Sequence, residues 1–477
     1  LLIWAAFVVA TREPWVGSVL ATLYLTWAPW HFGAQNYGLA LMFLGRSGTR
    51  VDPLSKRMLH LSIVLSFLLA FFTAHSATPT IGLNGLPEDG PHVLYRFLSL
   101  GIPDPITALA LPLTGLAYAL ATGIAFARLA RRAPSWLALL PAALLMLLQA
   151  AWFSIPALIH WATPAWDAQL TFHVFWFAVA HSVQYLWVTT YYARRSEPSQ
   201  GAGAFLAKCA LAGIGITTFP ALLFAPGLLG RVPADAGLLF LVFSTVNVHH
   251  FMLDGVVWKL RDGRVARVLL RSSQAGERAA PLEAGRSWNP WRGLAWAVGG
   301  VSIAASVAGI LLQHQYQRAL SRPEPARLER AVEGLTWIGR ESAQARVNLA
   351  RRLAREGELA RARREAERSL ELMPSAEAWS TLGWIEAQQG DLDAARRAYA
   401  AGLALAPEDK ALTLWLASTW AALERPERAV ALLEEASSRW PRDGEVRRAL
   451  LMARHGRLSP ERLEALDQDL RLSGQGY

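Results

Sequence analysis

Long uninterrupted apolar runs are the feature that most restricts how this chain of 477 residues can fold. Crossing about 30 Å of hydrocarbon as a helix takes roughly 20 apolar residues. Runs of that length lie near residues 15–45, 58–75, 105–127, 136–160, 167–193, 204–230, 236–258 and 293–313. Together with the apolar fragment 1–10, they predict about nine membrane spans. A hydrophobic content of 53% with only 18% charged residues agrees with a membrane protein.

Positive charge between the apolar runs predicts the orientation of the chain. The net charge of +10 comes from Lys and Arg in loops and on a helical tail, so we expect no nucleic-acid partner. Cations cluster at 46–57, 128–132, 194–195 and 259–292, whereas the intervening loops 76–104, 161–166 and 231–235 hold few. The positive-inside rule places the cationic loops in the cytoplasm. The sequence therefore predicts a multi-pass bacterial inner-membrane protein whose C-terminal domain is periplasmic.

From about residue 324 onward the chain is charged, helical and repetitive. Pro374, Pro407 and Pro441 recur at intervals of 33 and 34 residues, the period of a helix-turn-helix repeat. Residues 378–409 closely resemble the tetratricopeptide repeat. The matching positions are Leu382, Gly383 and Trp384 in the first predicted helix and Ala394, Ala395 and Ala398 in the second. The resemblance implies an α-solenoid, and such solenoids present extended concave surfaces suited to binding a partner.

The predicted fold class is therefore all-α, with two domains. Residues 1–315 form a polytopic transmembrane helix bundle, and residues 316–475 form a periplasmic tetratricopeptide-type α-solenoid. In the third repeat, Glu424 stands near the expected turn glycine, so that turn is expected to differ. We expect the solenoid to bind a periplasmic or membrane protein, and the bundle to contact membrane lipid and a lipophilic small molecule.

Histidines inside the apolar runs mark the candidate site, because a charged group at the bilayer centre costs roughly 2.5 to 3.5 kcal/mol. They are His31 in WHFGAQNYG, His181 in FHVFWFAVAHSVQYLW, and His249 with His250 in NVHHFMLDGVVWK. Counted from the predicted outer end of each span at about 1.5 Å per residue, three of them lie roughly 22 to 24 Å deep. A shared depth for His31, His181 and His250 predicts that these side chains converge. Lone histidines such as His60 and His75 are expected to serve in packing.

Further polar groups lie beside these histidines, because helix residues three or four apart share a face. They are Gln35 for His31, Gln184 and Tyr185 for His181, and Asn247 and Asp254 for His250. Amides and carboxylates in such positions orient a ligating imidazole. We therefore predict metal ligands at His31, His181, His249 and His250, supported by these five neighbours. Imidazoles suit iron, copper or zinc, and Gly33 and Gly38 permit close helix approach or a substrate beside the backbone.

The three histidine segments resemble those of the Brp/Blh-type carotenoid-cleaving dioxygenases. WHFG at 30–33 is similar to their His-Phe-Gly box, AHSVQYL at 180–186 to their His-Ser-x-x-His box, and VHHFMLD at 248–254 to their late Pro-His box. Tyr185 stands where the middle box has its second histidine. The resemblance implies Fe(II) held by His31, His181 and His249 or His250, and oxidation of a lipophilic, carotenoid-like substrate.

Other functions fit parts of the pattern. A non-catalytic membrane scaffold or assembly subunit would use the solenoid to hold a partner protein. A b-type cytochrome would use histidines on facing helices as haem ligands. A lipid-linked sugar transferase would need acidic residues in an outer loop, where Glu88 and Asp89 lie. Phosphate-loop, dinucleotide-binding and zinc-protease motifs are missing from the sequence, and the single Cys209 excludes both a disulfide framework and a multi-thiolate metal site.

Overall fold

The computed structural model describes residues 1–77, 94–163, 170–196, 201–257, 290–322 and 324–460. Every regular element in these ranges is a helix, so the predicted all-α class is confirmed. Glu88, Asp89 and most of the basic stretch 259–292 lie outside the described residues.

The apolar part of the chain forms ten helices in the described ranges. They are α1 (Leu2–Ala10), α2 (Pro14–Arg46), α3 (Pro53–Ala74), α4 (Asp104–Ala130), α5 (Leu140–Gln149), α6 (Ile155–Ala162), α7 (Leu170–Ser196), α8 (Ala202–Leu223), α9 (Leu239–Val257) and α10 (Pro290–Leu320). A π-helical turn, Ala150–Ser154, joins α5 to α6, and another, Ala234–Leu238, precedes α9. Each predicted apolar run corresponds to one of these helices or, for 136–160, to the α5–α6 pair.

Six helical stretches of the described chain are long and apolar enough to cross a membrane. They are Pro53–Ala74, Asp104–Ala130, Leu140–Ile159, Ala202–Leu223, Ala234–Gly255 and Gly293–Leu320. On α4 the exposed side chains of Ile106, Leu109, Leu113, Leu116 and Leu120 form an apolar stripe on the face away from the other helices. A stripe of this kind is typical of a surface covered by lipid. That α1, α2 and α7 also cross stays a prediction.

Asp52 joins the beginning of α3 to the end of α4. Its carboxylate accepts hydrogen bonds from the backbone N–H groups of Leu54 and Ser55 and from Arg128 Nη2 at 2.9 Å. The Ser55 hydroxyl and the Arg128 guanidinium hold the pKa of Asp52 well below its usual range. The carboxylate therefore stays ionised at the end of the bundle where Arg128 and Arg132 gather.

The C-terminal part of the chain consists of shorter helices arranged as hairpins. They are α11 (Pro325–Trp337), α12 (Ala343–Arg355), α13 (Leu359–Leu372), α14 (Ala376–Gln388), α15 (Leu392–Leu405), α16 (Lys410–Ala422), α17 (Pro426–Arg439) and α18 (Gly444–Arg454). The hairpins pair α12 with α13, α14 with α15, and α16 with α17. Alanines with no exposed surface, such as Ala350, Ala366 and Ala395, allow these helices to approach closely.

The hairpin turns follow from local sequence. Gly357 and Gly390 end the first helices of two hairpins with φ of +79° and +84°, a left-handed conformation that glycine adopts without steric cost. In the third hairpin Glu424 takes the same place with φ of +58°, so this turn keeps the left-handed conformation, and the expectation that it would differ was wrong. The first helices begin at side-chain caps, including Ser342, Ser375 and Asp409.

The helices group into two compact units. The first contains α1 to α7, α9, most of α8 and the part of α10 up to Ala304. The second contains the segment Ala221–Leu238, the rest of α10 and the later helices. The predicted division into a membrane domain at 1–315 and a periplasmic domain at 316–475 stays a prediction.

Candidate metal centre

Three of the predicted histidines meet in the first unit, each from a different helix. His31 lies on α2, His181 on α7 and His250 on α9. One ring nitrogen from each lies within 4.8 Å of the other two. Ring centroids are 5.2 Å apart for His31 and His181, 5.2 Å for His31 and His250, and 6.5 Å for His181 and His250. The predicted convergence of these imidazoles is therefore observed in the geometry.

Buried nitrogen atoms in this group lack hydrogen-bond partners. Within the described part of the chain, neither Nε2 of His31 nor either ring nitrogen of His181 has a partner. Leaving a buried polar atom unpaired costs about 1 to 3 kcal/mol, and such atoms are rare in folded proteins. Both side chains are buried in the protein. The donor set therefore fits a bound ion.

Asp254 and Tyr185 complete the polar surroundings of the three imidazoles. Asp254 Oδ2 lies 3.6 Å from Nε2 of His31 and 3.6 Å from Nε2 of His250. The Tyr185 hydroxyl donates a hydrogen bond to Asp254 Oδ1 over 3.2 Å. Oδ2 of Asp254 thus faces the imidazoles of His31 and His250. Oδ1 accepts the hydrogen bond from Tyr185, which orients the carboxylate.

Aromatic rings hold two of the imidazoles in place. Phe251 stacks on His31 with centroids 4.1 Å apart and planes at 22°. Phe32 lies 4.2 Å from His181 with planes at 35°. Because these contacts cover a face of each imidazole, rotation of His31 and His181 is restricted. The restricted rings keep a nitrogen of His31 and a nitrogen of His181 close to each other and to His250.

A chain of polar side chains, buried except for the half-buried Gln184, connects α7 to the neighbouring helices beside the histidines. Gln184 Nε2 donates to Asn36 Oδ1 at 3.2 Å, and Asn36 Nδ2 donates to Gln149 Oε1 at 3.0 Å. Gln149 Nε2 then donates to Ser66 Oγ at 3.1 Å, which also receives the Ser154 hydroxyl at 2.9 Å. Gln184 is therefore part of a helix-packing network and does not contact His181 through a hydrogen bond.

The two central residues of that network, Asn36 and Gln149, were not predicted from the sequence. Asn36 and Gln149 have no exposed surface. Each is a polar residue within an apolar run, which is the signal that could have identified it. Their bonding partners lie on other helices, so spacing along one helix did not reveal the pairing.

The remaining predicted residues lie in different surroundings. His249 lies outside the histidine group, with its ring 6.3 Å from that of Trp4. Asn247 donates to the backbone carbonyl of Phe243 on its own helix. Gln35 lines a cavity beside the group, and its Oε1 has no partner among the described residues. Of the adjacent pair on α9, His250 is thus the residue that joins His31 and His181.

His75 has a packing role, as the sequence indicated. Its Nε2 lies 3.0 Å from Thr26 Oγ1, and its Nδ1 accepts a hydrogen bond from the backbone N–H of Leu100 at 3.2 Å. The ring therefore connects α2 and α3 to the segment before α4. His60 packs by its ring against Trp30 and Tyr37.

A cavity of about 340 Å³ opens beside the histidines, between α2, α7 and α9. Its apolar surface includes Trp27, Trp30 and Met42, and its polar surface includes His31, Tyr185 and Asp254. Gly38 also lines it, and a Cβ added there would meet no atom within 4 Å. By contrast, a Cβ at Gly33 would lie 2.8 Å from Cγ2 of Ile63. Gly33 therefore permits close helix packing, whereas Gly38 leaves open space beside the backbone.

Comparison with known families identifies the C-terminal helices. Residues 347–409 and 386–453 match two models of the tetratricopeptide repeat. The chain carries a C-terminal tetratricopeptide repeat domain. No curated protein matches the chain. These two family matches do not extend to the histidine segments, so the resemblance to carotenoid-cleaving dioxygenases stays a hypothesis.

The tetratricopeptide domain is built on the positions recognised in the sequence. Leu382, Ala395 and Ala398 are buried between helices. A Cβ added at Gly383 would lie 2.7 Å from ring carbons of Tyr399, so only glycine fits there without displacement. Stacked repeats of this type bury a continuous core and leave a surface suited to binding another protein. The domain is accordingly of a protein-protein interaction type.

Proposed function

We propose that this protein is a membrane-embedded oxygenase in which His31, His181 and His250 hold an Fe(II) ion. Its substrate is a lipophilic molecule bound in the adjoining cavity. The observation that carries the proposal is the meeting of three imidazoles from three helices, with buried ring nitrogens that lack partners in the described chain.

The donor set would suit a single transition-metal ion. One nitrogen from each of the three imidazoles lies within 4.8 Å of the other two, so His31, His181 and His250 would hold the ion between them. Imidazoles with a nearby carboxylate are donors that suit non-haem Fe(II), which when bound supplies activation of dioxygen.

The surrounding residues would bind and orient the substrate. Trp27, Trp30 and Met42 give the cavity an apolar surface, which favours a lipophilic occupant. Tyr185 and Asp254 lie in the same cavity wall as His31. The phenol holds a proton at its oxygen, 3.2 Å from the Asp254 carboxylate, and faces any molecule in the cavity. A carotenoid-like polyene is one lipophilic molecule of this class, as the resemblance implies.

Metal analysis of the purified protein tests the proposal. We expect about one iron per chain in the wild type, and a loss of most of it in His31→Ala, His181→Ala and His250→Ala. His249→Ala is the matched control, because His249 adjoins His250 on α9 but packs against Trp4. Melting temperatures would establish that each variant is folded. Equal and negligible metal in the wild type and all variants would exclude the metal centre, and a Soret band would assign haem instead.

The tetratricopeptide domain favours a second function, a non-catalytic scaffold or assembly subunit. In that case the spans anchor the protein, and the repeats hold a periplasmic or membrane protein. The scaffold predicts a metal-free protein whose complex is lost when residues 324–477 are deleted. Native gel electrophoresis of membranes from full-length and truncated strains tests the complex, and the metal analysis separates the two functions.

We also propose that the protein lies in a bacterial inner membrane with its repeats in the periplasm. The alternation of cationic loops supports this orientation. Fusions of alkaline phosphatase and of green fluorescent protein after residue 460 test it. Active phosphatase with a dark fluorescent protein is expected, and the reverse result would place the repeats in the cytoplasm.

A further inference from the structure

Helix α11 folds back along the end of α10. A Cβ added at Gly334 would lie 2.6 Å from Cδ2 of Leu312. One added at Gly309 would lie 2.7 Å from Cζ of Arg340. Gly334 on α11 thus lies beside Leu312, and Arg340, three residues past the end of α11, lies beside the earlier residue Gly309, so α11 runs antiparallel to α10. The C-terminal end of α11 consequently lies level with residues 309–312, near the end of the apolar run 293–313.

The end of α11 also lies beside the end of α8. A Cβ added at Gly339 would lie 3.0 Å from Cβ of Ala225 and 3.6 Å from the carbonyl oxygen of Leu222. The Ser342 hydroxyl donates a hydrogen bond to the Asp235 carboxylate. Leu222 and Ala225 are where the candidate span of α8 ends, and Asp235 is where the next candidate span begins. Two sets of contacts thus put the end of α11 beside the end of one candidate span and the start of the next.

Large apolar side chains are exposed at that level. Trp337, the last residue of α11, is 90% exposed. Leu228 and Leu229 in the turn after α8 are 67% and 60% exposed, and Ile310 on α10 is 67% exposed. Tryptophan is enriched where a membrane meets water, because its ring is amphipathic. Arg340 lies beside Gly309 at the same level and offers a cation to lipid phosphates.

We propose that Trp337, Leu228 and Leu229 insert into the interfacial region of the lipid bilayer. The lipid surface is the occupant favoured by these contacts, because the exposed side chains adjoin the ends of candidate spans. Insertion fixes α11, the helix that precedes the matched tetratricopeptide repeats, against the membrane. A protein bound by the repeats is then held close to the bilayer surface. This inference does not depend on the metal centre.

Site-directed spin labelling of the full-length protein tests the proposal. Cys209 is the only cysteine, so a Cys209→Ala background permits single labels at Trp337→Cys and Leu228→Cys. Leu405→Cys and Leu451→Cys are matched controls, because these leucines are 48% and 57% exposed on later helices of the repeats. Each protein is placed in nanodiscs of phosphatidylethanolamine and phosphatidylglycerol. Collision rates of the label with oxygen and with a water-soluble nickel chelate are then measured.

At positions 337 and 228 we expect collisions with oxygen to exceed those at both controls, and collisions with the nickel chelate to be several-fold lower. The proposal would be overturned if labels at 337 and 228 collided with the nickel chelate as often as labels at 405 and 451. Trp337, Leu228 and Leu229 would then form a surface for a protein partner. Wild type and Trp337→Phe in brominated lipid supply a second measurement without labels. The difference between the emission of the wild type and that of Trp337→Phe reports Trp337, one of 20 tryptophans; this difference must shrink in brominated lipid, and a difference of the same size with and without bromine would also overturn the proposal.

Discussion

Oδ2 of Asp254 lies 3.6 Å from Nε2 of His31, although the two residues belong to α9 and α2. That distance is too long for a hydrogen bond. The carboxylate instead faces the imidazole as a nearby charged group that can orient it.

Replacing Asp254 should weaken metal binding. For Asp254→Asn and Asp254→Ala we expect iron affinity to fall by about tenfold to a hundredfold, the range for groups that support metal ligands, with the alanine variant the weaker. Asn247→Ala on the same helix is the control, because that amide bonds only to the Phe243 carbonyl in the described chain. Titration of the metal-free proteins with Fe(II) measures the affinity. Unchanged affinity in Asp254→Ala would exclude a role for the carboxylate.

Filling the cavity should block the ligand and leave the metal in place. Gly38→Leu adds a side chain into open space that lines the cavity, so we expect loss of binding of a fluorescent polyene fatty acid. Gly123→Leu on the outer face of α4 is the control, because a Cβ there also meets no atom within 4 Å. Iron content should be the same in both variants. Equal probe binding by Gly38→Leu and the wild type would contradict this role of the cavity.

The buried Glu341 should make the second unit sensitive to acid. It is 3% exposed and accepts hydrogen bonds from Arg346 Nη2 at 2.8 Å and Arg368 Nη2 at 2.7 Å. Burial alone would raise the pKa of Glu341, but the two guanidinium groups outweigh burial and lower it. A carboxyl with a lowered folded-state pKa stabilises the protein above its unfolded pKa of about 4.3. That stabilisation is lost as the pH falls through the folded-state pKa.

At neutral pH we therefore expect Glu341→Gln to lower the free energy of unfolding by about 3 to 5 kcal/mol, the cost of breaking a buried ion pair. The variant should also lose part of the decline in stability below about pH 4.3. Glu371→Gln is the control, because its carboxylate pairs with Arg368 while 66% exposed, and such pairs contribute less than about 1 kcal/mol. Urea unfolding followed by circular dichroism at several pH values provides the measurement. Identical pH profiles for the wild type and Glu341→Gln would refute the prediction.

Gly383→Ala should destabilise the tetratricopeptide domain. The added Cβ would lie 2.7 Å from ring carbons of Tyr399, which is 1% exposed and enclosed by the core. Overpacking of this kind costs about 1 to 3 kcal/mol. Gly444→Ala is the control, because a Cβ at the start of α18 meets nothing within 4 Å. In thermal unfolding, the melting temperature of Gly383→Ala should be several degrees below that of Gly444→Ala. Equal melting temperatures would argue against tight packing at Gly383.

The sequence by itself determined the helices and the repeat. Helix formation depends on groups three and four residues apart and on local caps, so apolar runs and the prolines at 374, 407 and 441 were sufficient to predict them. Counting along each predicted span also led to the prediction that His31, His181 and His250 meet. These features depend on local spacing, which a linear sequence records.

Only the tertiary structure decided which side chains meet. His249 and His250 point about 100° apart on one helix, and the rotation of α9 is set by packing of Phe251 on His31 and of Trp4 beside His249. The same holds for Asn36 and Gln149, whose hydrogen bond joins α2 to α5. Contacts between helices depend on how each helix is turned by all its neighbours, and that information is not contained in any one segment of the sequence.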